Sequence, residues 1–161
     1  MNPEEQLVCF TFGHSEMTAD DFVSTLAAHG IDLVIDARVF PYNPYLVHFD
    51  RDRLDSLLHR YGISYVWMGK QLGCITNDGR LDSVRREHEE SYQEGMARLM
   101  ELLPGRRVCV LSSESDWRIS HRHTLIAQTL LRYGIEVNHI ESDGTISSAL
   151  PDLFHLEEVL C

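Results

Sequence analysis

Short apolar runs alternate along the chain with longer stretches in which apolar residues recur at helical spacing. The runs fall at residues 7–12, 33–36, 64–66, 108–111 and 136–140. Short runs bounded by turn-forming residues suit buried strands. Three segments share one small pattern, His29-Gly30-Ile31, Tyr61-Gly62-Ile63 and Tyr133-Gly134-Ile135. Glycine tolerates the left-handed conformation that ends a helix, so each reads as helix, stop, strand. Pro104-Gly105 ahead of Val108 makes a further junction of the same kind. Repeated junctions of this type argue for an alternating α/β chain with a mainly parallel sheet.

The helices fill the gaps. Thr18 followed by Asp21 resembles a capping box, with Phe22 and Leu26 at helical spacing behind it. Asp50 can cap a second helix that carries Leu54, Leu57, Leu58 and Tyr61 on one face. Residues 82–103 predict one long helix with Tyr92, Met96, Leu99 and Leu103 in register, and its charged first half, 85–94, predicts a solvated face. A fourth helix starts near Ser120 and carries Ile126, Leu130 and Tyr133, and Pro151 opens a short final one. The expected fold is a three-layer, Rossmann-like α/β sandwich forming a single domain over 1–161. It has about five mainly parallel strands and helices on both faces. The order 3-2-1-4-5 places the switch point between the first and fourth strands.

Composition narrows the function classes. A chain of 161 residues with 43% hydrophobic content supports one substantial core. A formal net charge of −11 disfavours an extended nucleic-acid surface, which needs clustered Lys and Arg. No run approaches transmembrane length and no signal peptide opens the chain, so the expectation is a cytoplasmic protein with no membrane partner. The four cysteines, Cys9, Cys74, Cys109 and Cys161, form no C-x-x-C pair. Cys9 and Cys109 lie in strands and read as buried hydrophobes. Cys161 is terminal, and Cys74, in a glycine-flanked loop, is the one to test for reactivity.

The chemistry concentrates where strands give way to helices. Ligands of open α/β sheets gather at the carboxyl ends of the strands, where helix amino ends attract anions. His14 and Ser15 follow the first strand, Asp36 and Arg38 end the second, and Ser112 to Arg122 follow the fourth. His14 is the candidate acid–base group, since imidazole changes charge near neutrality. Arg38 and Arg122 are candidate anion ligands, oriented by Asp36 and Glu114. Ser120 reads as a helix cap whose end adds N–H donors. The candidate catalytic set is therefore His14, Asp36, Glu114 and His121, and the candidate binding set is Ser15, Arg38, Ser112, Ser120 and Arg122.

Arg122 at a helix amino end calls for an anionic neighbour or ligand, and Glu114 or Asp116 could be that neighbour. The Ser112–Arg118 spacing has the length of a phosphatase loop but carries serine in place of the thiolate. His14, His121 and His139 lack metal-ligand spacing, and neither a P-loop nor a dinucleotide fingerprint is present, so no cofactor is named. The loop 38–49 holds two prolines and four aromatics and suits a lid or a dimer patch.

At these residues the chain resembles a widespread bacterial family, domain of unknown function 488. The matching landmarks are T-F-G-H-S at 11–15, D-A-R-x-x-P at 36–41 and Gly62-Ile63-Ser64-Tyr65. Leu72-Gly73, Ser113-Glu114, Ser120-His121-Arg122 and His139-Ile140 complete the set. Together they span about 9–140. Serine stands at 112 and 120 where the family pattern has cysteine, Cys74 replaces a glycine, and Asn43-Pro44 replaces a serine-arginine pair. The resemblance implies an address for the site and brings no reaction with it. Two readings follow. One is a cleft for a small anionic or nucleotide-like ligand, serving a hydrolase or group transferase. The other is a non-catalytic interaction module, such as a homodimer, with a decayed site.

Overall fold

Along the strands, Cys9, Leu33, Ile35, Val108, Val110 and Val137 pack into one buried cluster, while Phe10, Phe12, Val34, Cys109, Leu111 and Ile140 pack into another. Side chains alternate across a strand, so strands apolar on both sides must lie between two helical layers. A computed structural model, which describes residues 5–152, has this arrangement. The strands are β1 (Val8–Gly13), β2 (Leu33–Asp36), β3 (Ser64–Trp67), β4 (Val108–Ser112), β5 (Glu136–Ile140) and β6 (Ile146–Ser148). The α-helices are α1 (Ala19–Ala28), α2 (Arg51–Arg60), α3 (Gly69–Leu72), α4 (Ser83–Glu87), α5 (Glu90–Leu102) and α6 (Gln128–Arg132). Phe22, Val23 and Leu26 of α1 and Leu54, Leu57 and Leu58 of α2 cover one face of the sheet. Leu72, Tyr92, Met96, Leu99 and Leu130 cover the other.

The sheet order is β3-β2-β4-β1-β5-β6, which corrects the expected 3-2-1-4-5. β1 and β4 are both central and both buried on each side, so their polarity alone does not say which one borders β2. The switch point survives the correction, because β1 and β4 are still parallel neighbours and their following helices leave to opposite faces. β6 was not expected from the sequence. It pairs antiparallel with β5 through a turn in which Gly144 takes a φ of 86° and donates to the Glu141 carbonyl.

Two helices differ from expectation. The long helix over 82–103 breaks between α4 and α5, and Arg86, expected on a solvated face, is fully buried. Its guanidinium donates to the carbonyls of Lys70, Gln71 and Gly73 and pairs with Glu89 at 2.9 Å. That inward docking is incompatible with one straight exposed helix. The helix expected to start near Ser120 does begin there, but a 3-10 turn, Trp117–Ile119, precedes it, and its first part, Arg122–Ala127, is π-helical before it continues as α6. The Thr18 hydroxyl caps α1 by accepting from the Asp21 N–H at 3.1 Å. Asp50 stands at the head of α2, but its carboxylate accepts from Asn43 N–H rather than from the helix. Among the described residues no helix is long and apolar enough to cross a membrane. The final helix expected after Pro151, and Cys161, lie outside the described residues.

Candidate functional site

The loop after β1 lies directly on the loop after β4. His14 N–H donates to the Ser112 carbonyl at 3.0 Å and Ser15 N–H to the Ser113 carbonyl at 2.9 Å. A Cβ on Gly13 would stand 1.7 Å from the Glu114 carbonyl oxygen, so only glycine permits this approach. Ser15 is the one described non-glycine residue at positive φ, 48°, a conformation that costs an L-residue about 1–2 kcal/mol. It turns the chain back so that Met17 N–H reaches the His14 carbonyl.

β2 brings in the charged partner. Asp36 accepts from Arg38 Nε at 2.9 Å and Nη2 at 2.8 Å, and from the Arg38 backbone N–H at 3.1 Å. The Tyr65 hydroxyl, from β3, donates to the same carboxylate. Burial opposes the charge on Arg38, but the hydrogen bonds and field of Asp36 outweigh it and raise its pKa. Burial, then Asp36, raises the Tyr65 phenol as well, so its proton stays on.

Arg38 thus gives its Nε/Nη2 edge to Asp36, and its Nη1 lies 3.3 Å from His14 Nε2. On the other side of the ring, His14 Nδ1 stands 2.8 Å from the Ser15 carbonyl. A carbonyl can only accept and a guanidinium can only donate. The neutral ring therefore carries its hydrogen on Nδ1 and its lone pair on Nε2. Burial lowers the His14 pKa to about 4, so this neutral tautomer is the form present at pH 7. Phe49 stacks on the ring at 4.4 Å and fixes its plane.

These groups line a cleft of about 310 Å³. His14, Ser15, Arg38 and Ser113 form its polar side, and Phe40, Tyr42 and Leu46 its apolar side, with Glu16 and Asn43 completing it. Phe40 is 77% exposed and meets Tyr42 edge to face at 5.7 Å. The wall facing solvent is therefore aromatic and the floor is charged.

The remaining candidates lie elsewhere. Ser112, Ser120, His121 and Arg122 are fully buried and do not line this cleft. Ser120 Oγ lies 3.1 Å from Ser112 Oγ and 3.0 Å from Glu114 Oε2, and it accepts from Arg122 N–H at 3.3 Å as a helix cap. Among the described residues Arg122 has no carboxylate at hydrogen-bond distance, and the expected anionic neighbours, Glu114 and Asp116, act on it only through space. Its Nη2 donates to the Glu114 and Ser115 carbonyls, its Nη1 to Thr11 Oγ1 at 2.7 Å, and its buried Nε has no partner. Burial lowers its pKa to about 10, leaving it charged at neutrality.

His121 Nε2 meets the Ala37 carbonyl at 3.1 Å, next to Arg38. Arg118, spaced from Ser112 like a phosphatase loop, is exposed, pairs with Asp116 and covers the Trp117 ring. Cys74, singled out for reactivity, is buried in the core. Among the described residues no group of three or more His, Cys, Asp or Glu is placed to hold a metal.

Sequence reasoning missed Tyr65 as a partner of Asp36. Its only signal was a polar-tipped aromatic within the strand beside β2. It also missed a buried chain through Thr11, His139 and His123, which links strands distant in sequence. Thr11 and His139 are register partners on β1 and β5, visible only once that pairing is known.

No curated protein and no solved structure shows a significant match to this chain. A family model does match, over residues 18–129, a stretch that holds β2, the aromatic loop, β4 and the π-helical segment. The landmarks at 11–15 and 139–140 lie outside that stretch, while Asp36, Arg38, Ser113, Glu114, Ser120, His121 and Arg122 lie within it. The matching model is described as Domain of unknown function DUF488, and this chain belongs to that family.

Proposed function

We propose that the cleft between the loops after β1 and β2 takes a small anionic ligand with a planar part, such as a nucleotide. His14 handles a proton there in hydrolysis or group transfer. The observation that supports this most is the fixed pairing of His14 Nε2 with Arg38 Nη1 on the cleft's polar side. One guanidinium edge is occupied by Asp36, which leaves Nη1 to meet ligand without rotamer loss. A phosphate beside Nε2 favours imidazolium and raises the His14 pKa from about 4. Phe40 and Tyr42 supply a stacking face. Asp36 and Tyr65 orient Arg38. His121, Ser120, Ser112, Glu114 and Arg122 act from behind, by holding the backbone of the two loops.

A thermal-shift panel of nucleoside monophosphates, sugar phosphates and inorganic phosphate tests this reading. A ligand at about 100 times its Kd stabilises the fold by roughly 2.7 kcal/mol. The expected result is a shift in the wild type that His14→Asn and Phe40→Ala each weaken. No shift with any compound, or equal shifts in both variants, defeats it. Because binding raises the His14 pKa, the complex holds more protons than the free protein, and affinity rises as pH falls from 7. Affinity that is flat with pH, in a ligand that does bind, removes His14 from the site.

A second reading rests on the exposed aromatics. Tyr45 is 92% exposed and stands beside Phe40 and Tyr42 in the same loop. Such residues anchor protein interfaces. If the loop joins two copies of the chain, the Tyr42→Ala, Tyr45→Ala double variant converts a dimer to a monomer in light scattering. A dimer that survives the change rules this out.

A further inference from the structure

A line of hydrogen bonds, buried except at its outer end, runs from Arg122 to Asp152. Arg122 Nη1 lies 2.7 Å from Thr11 Oγ1, which lies 2.5 Å from His139 Nδ1. His139 Nε2 lies 2.9 Å from His123 Nδ1, and His123 Nε2 lies 3.0 Å from Asp152 Oδ1. When both imidazoles are neutral, the carboxylate end fixes the direction of every link. A guanidinium only donates, and a carboxylate only accepts. Thr11 accepts from Arg122 and, because the neutral His139 ring holds its hydrogen on Nε2, gives its own hydrogen to His139 Nδ1. His139 then donates from Nε2 to His123 Nδ1, and His123 donates from Nε2 to Asp152. In that neutral state both imidazoles are Nε2–H tautomers.

We propose that this chain is a pH-operated device, in which one proton taken up at His123 reverses the hydrogen bonds that join His123 to His139 and His139 to Thr11. A second proton on His123 goes to Nδ1, where it meets the Nε2–H of His139. Two hydrogens cannot share a 2.9 Å nitrogen–nitrogen contact. The conflict is relieved when the His139 proton leaves Nε2 and Nδ1 takes one up. His139 Nε2 then accepts from His123, and His139 Nδ1–H donates to Thr11 Oγ1. The balance is one proton gained from solvent. Thr11 now accepts twice and its own hydrogen loses its acceptor, two residues ahead of Gly13 where the loops cross.

At the outer end, imidazolium facing carboxylate tightens the hold on Asp152. That residue also donates its N–H to Gln128, whose amide reaches the Leu150 carbonyl. The charges around the chain favour flipping His139 over charging it. His139 faces Arg122, Arg118 and His123, and burial with these neighbours lowers its pKa to about 2. Trp117 stacks on His139 at 4.5 Å, meets His123 edge-on and donates to Glu141. Glu114, Glu141 and Asp116 act on Arg122 through space. His123 itself faces Asp152, His139, the Trp117 ring and the neutral Gln128 amide.

Imidazole nitrogen NMR on the full chain, labelled at histidine, reads each tautomer directly between about pH 8 and 5. At the alkaline end His123 and His139 both show protonated Nε2. On acidification His139 moves its proton to Nδ1 with the same midpoint at which His123 gains its second. His139 keeping Nε2–H through the His123 titration overturns the proposal, as does Nδ1–H on His139 at the start. In Asp152→Asn, a change at the partly exposed end of the chain, the common midpoint shifts to lower pH. A midpoint unmoved by that change removes Asp152 from the device.

Discussion

Asp36 and Arg38 form a buried ion pair whose two members come from one turn of chain. Burying both charges is costly, and removing one partner leaves the other uncompensated. Asp36→Asn should therefore destabilise the protein by about 3–5 kcal/mol, read as a lower urea midpoint with an unchanged slope. A midpoint equal to wild type would mean that Arg38 has found another acceptor. Gly13→Ala forces the Glu114 carbonyl away from its present position and should cost roughly 3 kcal/mol. The same change should perturb His14, because the loops that carry it are laced together at Ser112 and Ser113. Imidazole resonances of His14 that match wild type would separate the loop from the ring.

Among the elements, α3 depends most on a distant residue. It is a single turn, Gly69–Leu72, too short to persist by its own hydrogen bonds. Arg86 accepts no solvent and gives its guanidinium to three carbonyls at the end of that turn. Gly95 brings α5 against the turn, since a Cβ there would stand 2.6 Å from Gln71 Cβ. Arg86→Ala should cost about 3–5 kcal/mol, because it unpairs buried carbonyls as well as Glu89. Native-state hydrogen exchange should show the amides of α3 losing protection first. Uniform loss across the sheet would instead make Arg86 part of the global core. The fully buried arginine was hidden in the sequence by its neighbours, since Arg85 and Glu90 do face outward as the charge pattern implied.

At the scale of the whole molecule, stability should depend on pH through the buried imidazoles. His14 and His139 have folded pKa values lowered to about 4 and about 2, against about 6.5 in the unfolded chain. Their contribution is fully present above the unfolded value and is lost as pH falls through it. Each removes about 1.4 kcal/mol per pH unit, so together they give a slope of roughly 2.7 between pH 6.5 and 4. Urea denaturation at a series of pH values measures it. His14→Asn should halve the slope, and an unchanged slope would assign the pH dependence to other groups.

The sequence by itself determined the α/β class, the places of the five parallel strands and the addresses where polar residues collect. Those features are local, because strand length, alternation and helix-ending glycines are written in a few neighbouring residues. It also put His14, Asp36 and Arg38 at strand ends, and the fold brings these within hydrogen-bond reach. Only the tertiary structure decided the order of β1 and β4, since two equally buried strands carry no label for their neighbours. It also decided which candidates share the cleft. Arg38 lines it while Arg122 lies behind, because β4 sits between β1 and β2 and the π-helical segment turns Arg122 toward Thr11. Hydrogen bonds between Thr11, His139, His123 and Asp152 span up to 128 positions of chain, and only strand pairing brings such residues together.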